Sequence, residues 1–162
     1  MRKILMVCTG NTCRSAMAAA LFKKYAAERQ IEVMVDSAGL HAFGSEPASP
    51  QAQTVMQEHG IDLSGHRSKQ VDFDLLDQYD LILTMTQDHK RYILNLRPDL
   101  ANKVFLIKEF AYQERQETNP LNEKMNKADS DVSDPFGQSV AVYHRTATEL
   151  LQAIEAILDA WQ

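Results

Sequence analysis

Short apolar runs separated by stretches of helical spacing set the rhythm of this 162-residue chain. Ile4-Leu5-Met6-Val7 is apolar without alternation, as in a strand covered by helices on both faces. Over 15–28, Ala18, Leu21, Phe22 and Tyr25 share one helical face while Lys23, Lys24, Glu28 and Arg29 lie mostly elsewhere; Ser15 is the expected N-cap. Ile31, Val33 and Val35 alternate with Glu32, Met34 and Asp36, predicting a half-buried strand nearer an edge. Residues 37–49 hold two glycines and Pro47 without an apolar period and read as a loop. Ser49 then caps, and Pro50 starts, a helix that buries Ala52, Val55 and Met56 and stops at Gly60.

The pattern repeats downstream. Residues 61–70 are polar and irregular, and 72–79 read as one or two helical turns carrying Leu75 and Leu76. A buried strand is predicted at 80–85, then a helix over 86–96 with Tyr92, Ile93 and Leu96 inward, ended by Arg97-Pro98. Residues 104–107 give a fourth strand. From 113 to 133 the chain is charged, lacks a sustained period and is longer than ordinary loops; Asn119-Pro120-Leu121 suits a short helix within it, and the segment reads either as a selector of basic partners or as solvated slack. Val140, Tyr143, Ala147, Leu150, Leu151, Ile154, Leu158 and Trp161 then recur every three to four residues over about six helical turns.

Strands alternating with helices imply an α/β fold, a doubly wound parallel sheet of four strands with helices on both faces, because parallel neighbours require crossover connections. Residues 1–162 are expected to form a single domain, long enough to bury roughly 68–70% of the surface its unfolded chain exposes.

Charge and cysteine usage narrow the function. A net charge of -5 opposes nucleic acid as a partner. Two cysteines, five histidines and no Cys-x-x-C pair argue against a structural zinc and fit a reducing cytosol. The apolar run after Met1-Arg2-Lys3 is too short for a signal peptide core or a membrane span. A cytoplasmic, soluble monomer without metal, cofactor or membrane partner is expected.

The candidate chemistry sits in Cys8-Thr9-Gly10-Asn11-Thr12-Cys13-Arg14-Ser15, between the first strand and the first helix. Backbone N–H groups of a tight loop and of a helix's first turn make an anion nest, Gly10 and Asn11 suit the unusual dihedrals of such a loop, and the helix dipole favours thiolate over thiol at Cys8. Arg14 has the fork geometry to hold two phosphate oxygens. The loop lacks the second Gly, Lys and Ser or Thr of a nucleotide-triphosphate loop. In a doubly wound sheet the ligand site lies outside the carboxyl ends of the strands, where Cys8 falls. Asp134, in Asp134-Pro135-Phe136-Gly137, is either a general acid or a turn residue. Asp129, Asp131 and Asp134 hint at a calcium loop, but Asp134 stands where that motif needs Gly and Val140 where it needs Glu.

Cys8-x5-Arg14-Ser15, Ser37-Ala38-Gly39 and Asp134-Pro135 together resemble the low-molecular-weight protein-tyrosine-phosphatase family over most of the chain. Within it, Thr12 and Phe136-Gly137 resemble the bacterial protein-arginine phosphatases, whereas the tyrosine-specific branch typically has Ile at the former position and aromatic residues after the Pro. The resemblance implies catalysis by Cys8, Arg14 and Asp134 through a phosphocysteine, with Thr9, Gly10, Asn11, Thr12, Cys13, Ser15 and Phe136 around the substrate. In it Ser15 donates to the sulfur and Asn11 braces the loop. The implied partners are proteins phosphorylated on arginine, with phosphotyrosine as the alternative.

Several residues keep two readings. Thr12 either sets a preference for a planar, polar guanidinium or satisfies the loop backbone; Phe136 is a pocket wall or a core anchor for the last helix. Cys13 is a structural passenger or a thiol that traps oxidised Cys8 as a disulfide. Ala16 stands where the family often has Pro, and His41 where an aromatic wall is expected. His59, His66, His89 and His144 are expected to be solvated rather than ligands. A thiol-coupled arsenate reductase would need cysteines after Cys13, and there are none. A phosphocysteine carrier would not need both Arg14 and Asp134, and a phosphoprotein-binding module would not need Cys8.

Overall fold

The computed structural model describes residues 1–118, with side chains to 116, and residues 130–162. Four parallel strands, β1 (Arg2–Cys8), β2 (Val33–Gly39), β3 (Leu81–Thr84) and β4 (Val104–Leu106), lie in the order β2-β1-β3-β4. Among the described residues five α-helices accompany them, α1 (Arg14–Glu28), α2 (Pro50–Glu58), α3 (Gln87–Leu96), α4 (Ile107–Thr118) and α5 (Val140–Ala160), with short 3-10 helices at Phe73–Gln78, where helical turns are expected, and at Pro98–Leu100. The chain leaves β1 toward β2 and returns to its other side for β3, so the strand order reverses beside β1. That reversal opens a crevice at the carboxyl end of β1.

Alternate side chains of β1 feed two cores. Ile4, Met6 and Cys8 join residues of α1, α2, α4 and α5, whereas Leu5 and Val7 pack with Leu40, Val71, Leu76, Ile93 and Leu100 on the opposite face. The continuous apolar run of β1 follows from this, because both faces are covered. On α5, Tyr143, Ala147, Leu150, Ile154 and Leu158 are buried as their spacing predicts, whereas Val140 at the first turn is exposed. Full burial of each large one stabilises by about 1.5–3 kcal/mol. Ser49 caps α2 by accepting from Ala52 N, followed by Pro50 at the first helical position.

Several boundaries differ from the sequence pattern. β2 starts later than expected and runs through Ser37-Ala38-Gly39, which read as loop; there Ser37, Ala38 and Gly39 pair with Met6, Val7 and Cys8. Partner strand, not local propensity, decides that stretch. Ile107 opens α4 rather than ending β4, and α4 carries helix to Thr118, into the segment read as loop from 113. Its buried Ile107 and Ala111 lie one turn apart, giving it a packed face despite its charged surface. The helix suggested at Asn119-Pro120-Leu121 lies outside the described residues, as does Asp129.

On α3, Ile93 is buried but Tyr92 and Leu96 are exposed. The inward slot one turn before Ile93 is filled by His89, which rotates the buried face away from both. Tyr92 packs instead against His41 and Phe73 at the surface.

Candidate active site

The loop between β1 and α1 turns on Asn11, whose φ of +58° places it in the left-handed region. Asn is one of the few side chains that visit this region readily. Gly10, expected to share the unusual geometry, does not adopt a positive φ. Asn11 is fully buried and held at each polar atom. Its Nδ2 donates to Ser15 Oγ at 2.8 Å, Oδ1 accepts from Lys69 N at 3.0 Å, and its carbonyl accepts from His66 Nε2 at 2.6 Å. The backbone donor from Lys69 fixes which end of the amide is oxygen.

Donors converge on the sulfur. Asn11 N lies 3.3 Å and Ser15 Oγ 2.9 Å from Cys8 Sγ. Since Ser15 Oγ already accepts from Asn11 Nδ2, its own proton is directed at the sulfur. Ser15 is therefore not the N-cap: α1 begins one residue earlier, Cys13 occupies the cap position without a side-chain cap bond, and the Ser15 hydroxyl serves Cys8 instead. The positive end of the α1 dipole points at the same place.

Arg14 is 5% exposed, and its Nη1 donates to Val132 O at 3.0 Å. Val132 N in turn donates to Met85 O at 2.8 Å, just past β3, and Asp131 Oδ1 accepts from Gln87 N at the start of α3. These bonds tether the segment that carries Asp134. Asp134 Oδ2 then lies 3.6 Å from Arg14 Nη2, while Oδ1 accepts from Phe136 N at 3.1 Å in a turn completed by Gly137 at φ +75°.

A cavity of about 270 Å³ is lined by Cys8, Thr9, Gly10, Asn11, Thr12, Cys13, Arg14, Asp134 and Phe136. Every site residue chosen from the sequence lines it except Ser15, which lies beneath the loop on Cys8 Sγ. Phe136 is 72% exposed at its mouth and anchors no core. The Thr12 carbonyl accepts from Ser49 N, and the Thr12 hydroxyl touches Cys13 Sγ at 3.6 Å and no backbone group among the described residues. Cys13 Sγ is buried, 3.1 Å from Tyr143 Oη. Burial, then the contact with Cys13, pushes the Tyr143 hydroxyl up to about 12. A larger opening of about 670 Å³ between α1 and residues 60–69 holds no cysteine, so the chemistry places the site at the smaller one.

Three supports, of which only Gly39 stands in a sequence motif, reach the loop from elsewhere in the chain. Gly39 abuts the loop so closely that a Cβ there would stand 2.5 Å from Thr9 O and 3.1 Å from Asn11 N. His66 is half-buried on Asn11 rather than solvated. His89, also expected in solvent, is buried between Thr9 Oγ1 at 2.9 Å and Thr86 N at 3.2 Å. Burial, and next the Arg14 charge, hold it down to about 4. His59 is partly buried on Tyr25, and His144 is exposed beside Glu58. The surface expected to carry an aromatic wall is shared: His41 donates its N–H to Thr9 O, and its ring contacts Phe43 and Tyr92. Among the described residues no cluster of potential ligands suits a metal ion, and no helix is long and apolar enough to cross a membrane.

A sulfur at a strand end, met by the Asn11 amide, the Ser15 hydroxyl and a helix N-terminus, with a buried arginine lining the same cavity, defines a cysteine-dependent phosphatase loop. Residues 3–162 match the family described as low molecular weight phosphotyrosine protein phosphatase, and the chain belongs to it. It is a cysteine-dependent protein phosphatase. A protein-arginine-phosphatase of Geobacillus stearothermophilus is 36% identical over 161 residues, spanning 99% of this chain and 96% of that protein. The low molecular weight protein-tyrosine-phosphatase Wzb of Escherichia coli K12 is 34% identical over 160 residues, spanning 94% and 95%. The arginine phosphatase YwlE, solved as a cysteine-to-serine mutant with a phosphorylated active-site serine, superposes with a TM-score of 0.82 at 35% identity, covering 97% of this chain and 93% of that one.

Proposed function

We propose that this chain removes phosphate from phosphoarginine on proteins, with Cys8, Arg14 and Asp134 as its catalytic residues. The observation that carries the reading is the pair of donors, Asn11 N and Ser15 Oγ, aimed at Cys8 Sγ on the floor of a cavity closed by Arg14 and Asp134. Cys8 thiolate attacks phosphorus in line; the S–P bond forms as the P–N bond to the guanidinium breaks, and protonated Asp134 supplies the proton that the leaving nitrogen takes up. Water then attacks the phosphocysteine, Asp134 carboxylate accepts its proton, and thiolate and inorganic phosphate are released. Throughout, Arg14 and the loop N–H groups meet the charge on the equatorial oxygens. Thr9, Gly10, Asn11, Thr12 and Cys13 form the cradle, Ser15 steadies the thiolate and Phe136 walls the mouth.

Thr12 supports arginine over tyrosine. Its hydroxyl contacts Cys13 Sγ rather than the loop backbone and the residue lines the cavity, which leaves the hydroxyl oxygen a lone pair for a guanidinium N–H. A buried hydrogen bond of this kind, made or lost, is worth ~1–3 kcal/mol. Phosphotyrosine is the second reading, favoured by the exposed Phe136 ring at the mouth, which suits a stacked phenyl group. The deciding experiment measures kcat/KM on phosphoarginine and phosphotyrosine for the wild type and Thr12→Ile. Preference for the former, swinging toward the latter in the variant, supports the reading; no preference in the wild type overturns it.

The protein's setting follows from the same chemistry. An oxidisable cysteine without a structural disulfide suits a cytoplasmic monomer, and condensation of a Cys8 sulfenic acid with the Cys13 thiol would spare Cys8 irreversible oxidation.

A further inference from the structure

His89 is the third residue of α3 and completes a capping box with Thr86: Thr86 Oγ1 accepts from His89 N, and His89 Nδ1 accepts from Thr86 N. Glu or Gln is the usual partner in this motif. Glu would satisfy the cap but has no proton to give. A neutral imidazole has one acceptor and one donor, and here the acceptor is assigned, because a backbone N–H always donates. Nε2 therefore carries the ring proton, and the 2.9 Å contact runs from Nε2–H to Thr9 Oγ1. Burial and the Arg14 charge keep the ring neutral against the opposing pull of Asp131, Asp88 and Asp134, so this polarity persists through the physiological range.

The consequence falls on Thr9. Its hydroxyl oxygen accepts from His89, its own proton has no partner among the described residues, and the exposed residue lines the cavity above Cys8. We propose that His89 is a positioning residue that, by donating to Thr9 Oγ1, turns the Thr9 hydroxyl proton toward the phosphoryl group bound in the Cys8 cavity. Thr9 thereby adds a side-chain donor to a cradle otherwise built from backbone N–H groups and Arg14. The reach of the imidazole also explains why the third position of α3 carries His rather than a carboxylate. The inference rests on the reading of the cavity as a phosphoryl site but not on the choice of substrate.

Inorganic phosphate, the product from either substrate, is the probe, and its competitive inhibition constant is the readout. Thr9→Val should weaken phosphate binding about tenfold, in keeping with loss of a hydrogen bond to a charged group, while Thr9→Ser stays within about twofold. His89→Leu should weaken it by a similar factor in the wild-type background and by nothing further when added to Thr9→Val. Should His89→Leu fail to fold, the Thr9 pair decides alone, since that position is exposed. Thr9→Val binding phosphate as tightly as Thr9→Ser overturns the proposal, and so does a His89→Leu effect of equal size in both backgrounds, the mark of a merely structural histidine. Failure of the arginine reading would appear in the substrate ratio and leave these constants unmoved.

Discussion

His66 Nε2 donates to the carbonyl oxygen of Asn11 at 2.6 Å, although the two residues lie 55 positions apart. With Lys69 N on Asn11 Oδ1, it fastens the loop between β1 and α1 to the segment 66–69. A loop residue in the left-handed region would otherwise relax, and with it the donors around Cys8 Sγ.

Asn11→Ala therefore removes the bonds to Ser15 and Lys69 and leaves an unfavourable φ. Such a residue costs about 1–3 kcal/mol in strain, and an orphaned buried donor about as much again. The variant is expected to lose about 2–4 kcal/mol by urea unfolding and at least about tenfold in kcat. Asn11→Gly should recover part of the stability by relieving the strain, but not kcat. An Asn11→Ala protein as stable and active as the parent would show that Asn11 does not brace the loop.

Asp134 is mostly exposed, touching Arg14 at one oxygen and the Phe136 amide at the other. Removing it should leave the fold within about 0.5 kcal/mol of wild type, as at most surface positions. Its chemical loss is larger: Asp134→Ala is expected to slow kcat by about 10²–10³, in the range of a removed general acid, while the inhibition constant of inorganic phosphate stays close to wild type. Turnover unchanged by the substitution would remove Asp134 from the mechanism.

His89 links stability to pH. Its ordinary value of 6.5 falls to about 4 in the fold. Between those values the unfolded chain binds a proton that the folded chain does not, so stability is lost as pH falls from 6.5 and levels off below 4. The difference corresponds to about 3 kcal/mol. His89→Gln keeps an acceptor for the cap and cannot titrate, so urea midpoints for the two proteins should converge as pH drops through this window. Parallel curves would mean that His89 titrates as it does in an unfolded chain.

Cys13 tests the redox reading. Peroxide should oxidise Cys8 to the sulfenic acid, and the Cys13 thiol can then condense with it, releasing water and leaving a disulfide. Forming that bond draws Cys13 Sγ from its 3.1 Å contact with Tyr143 Oη. Wild type is expected to regain activity with a thiol reductant, whereas Cys13→Ser should be inactivated irreversibly. Equal recovery of the two would make Cys13 a packing residue only.

Much of this was legible along the chain. The uninterrupted apolar run of β1, the six-turn periodicity of α5 and the Ser49-Pro50 start of α2 each follow from contacts that repeat at a fixed local spacing. Where a long-range partner decided the outcome, the pattern misled. Pairing with β1 drew Ser37-Ala38-Gly39 into β2, and His89 took the slot that the α3 pattern assigned to apolar neighbours.

By itself, the sequence determined the order of the four strands and of α1, α2, α3 and α5, though not α4, and put a cysteine, an arginine and a serine within eight residues at the turn between the first two elements, because backbone periodicity and loop chemistry act over short distances. Only the tertiary structure brought Asp134 to Arg14, His66 to Asn11 and His89 to Thr9, separated by 120, 55 and 80 positions. Those meetings depend on the strand order reversing beside β1 and on two helical layers closing over the sheet. No local rule encodes them, since each is the outcome of burying the rest of the chain.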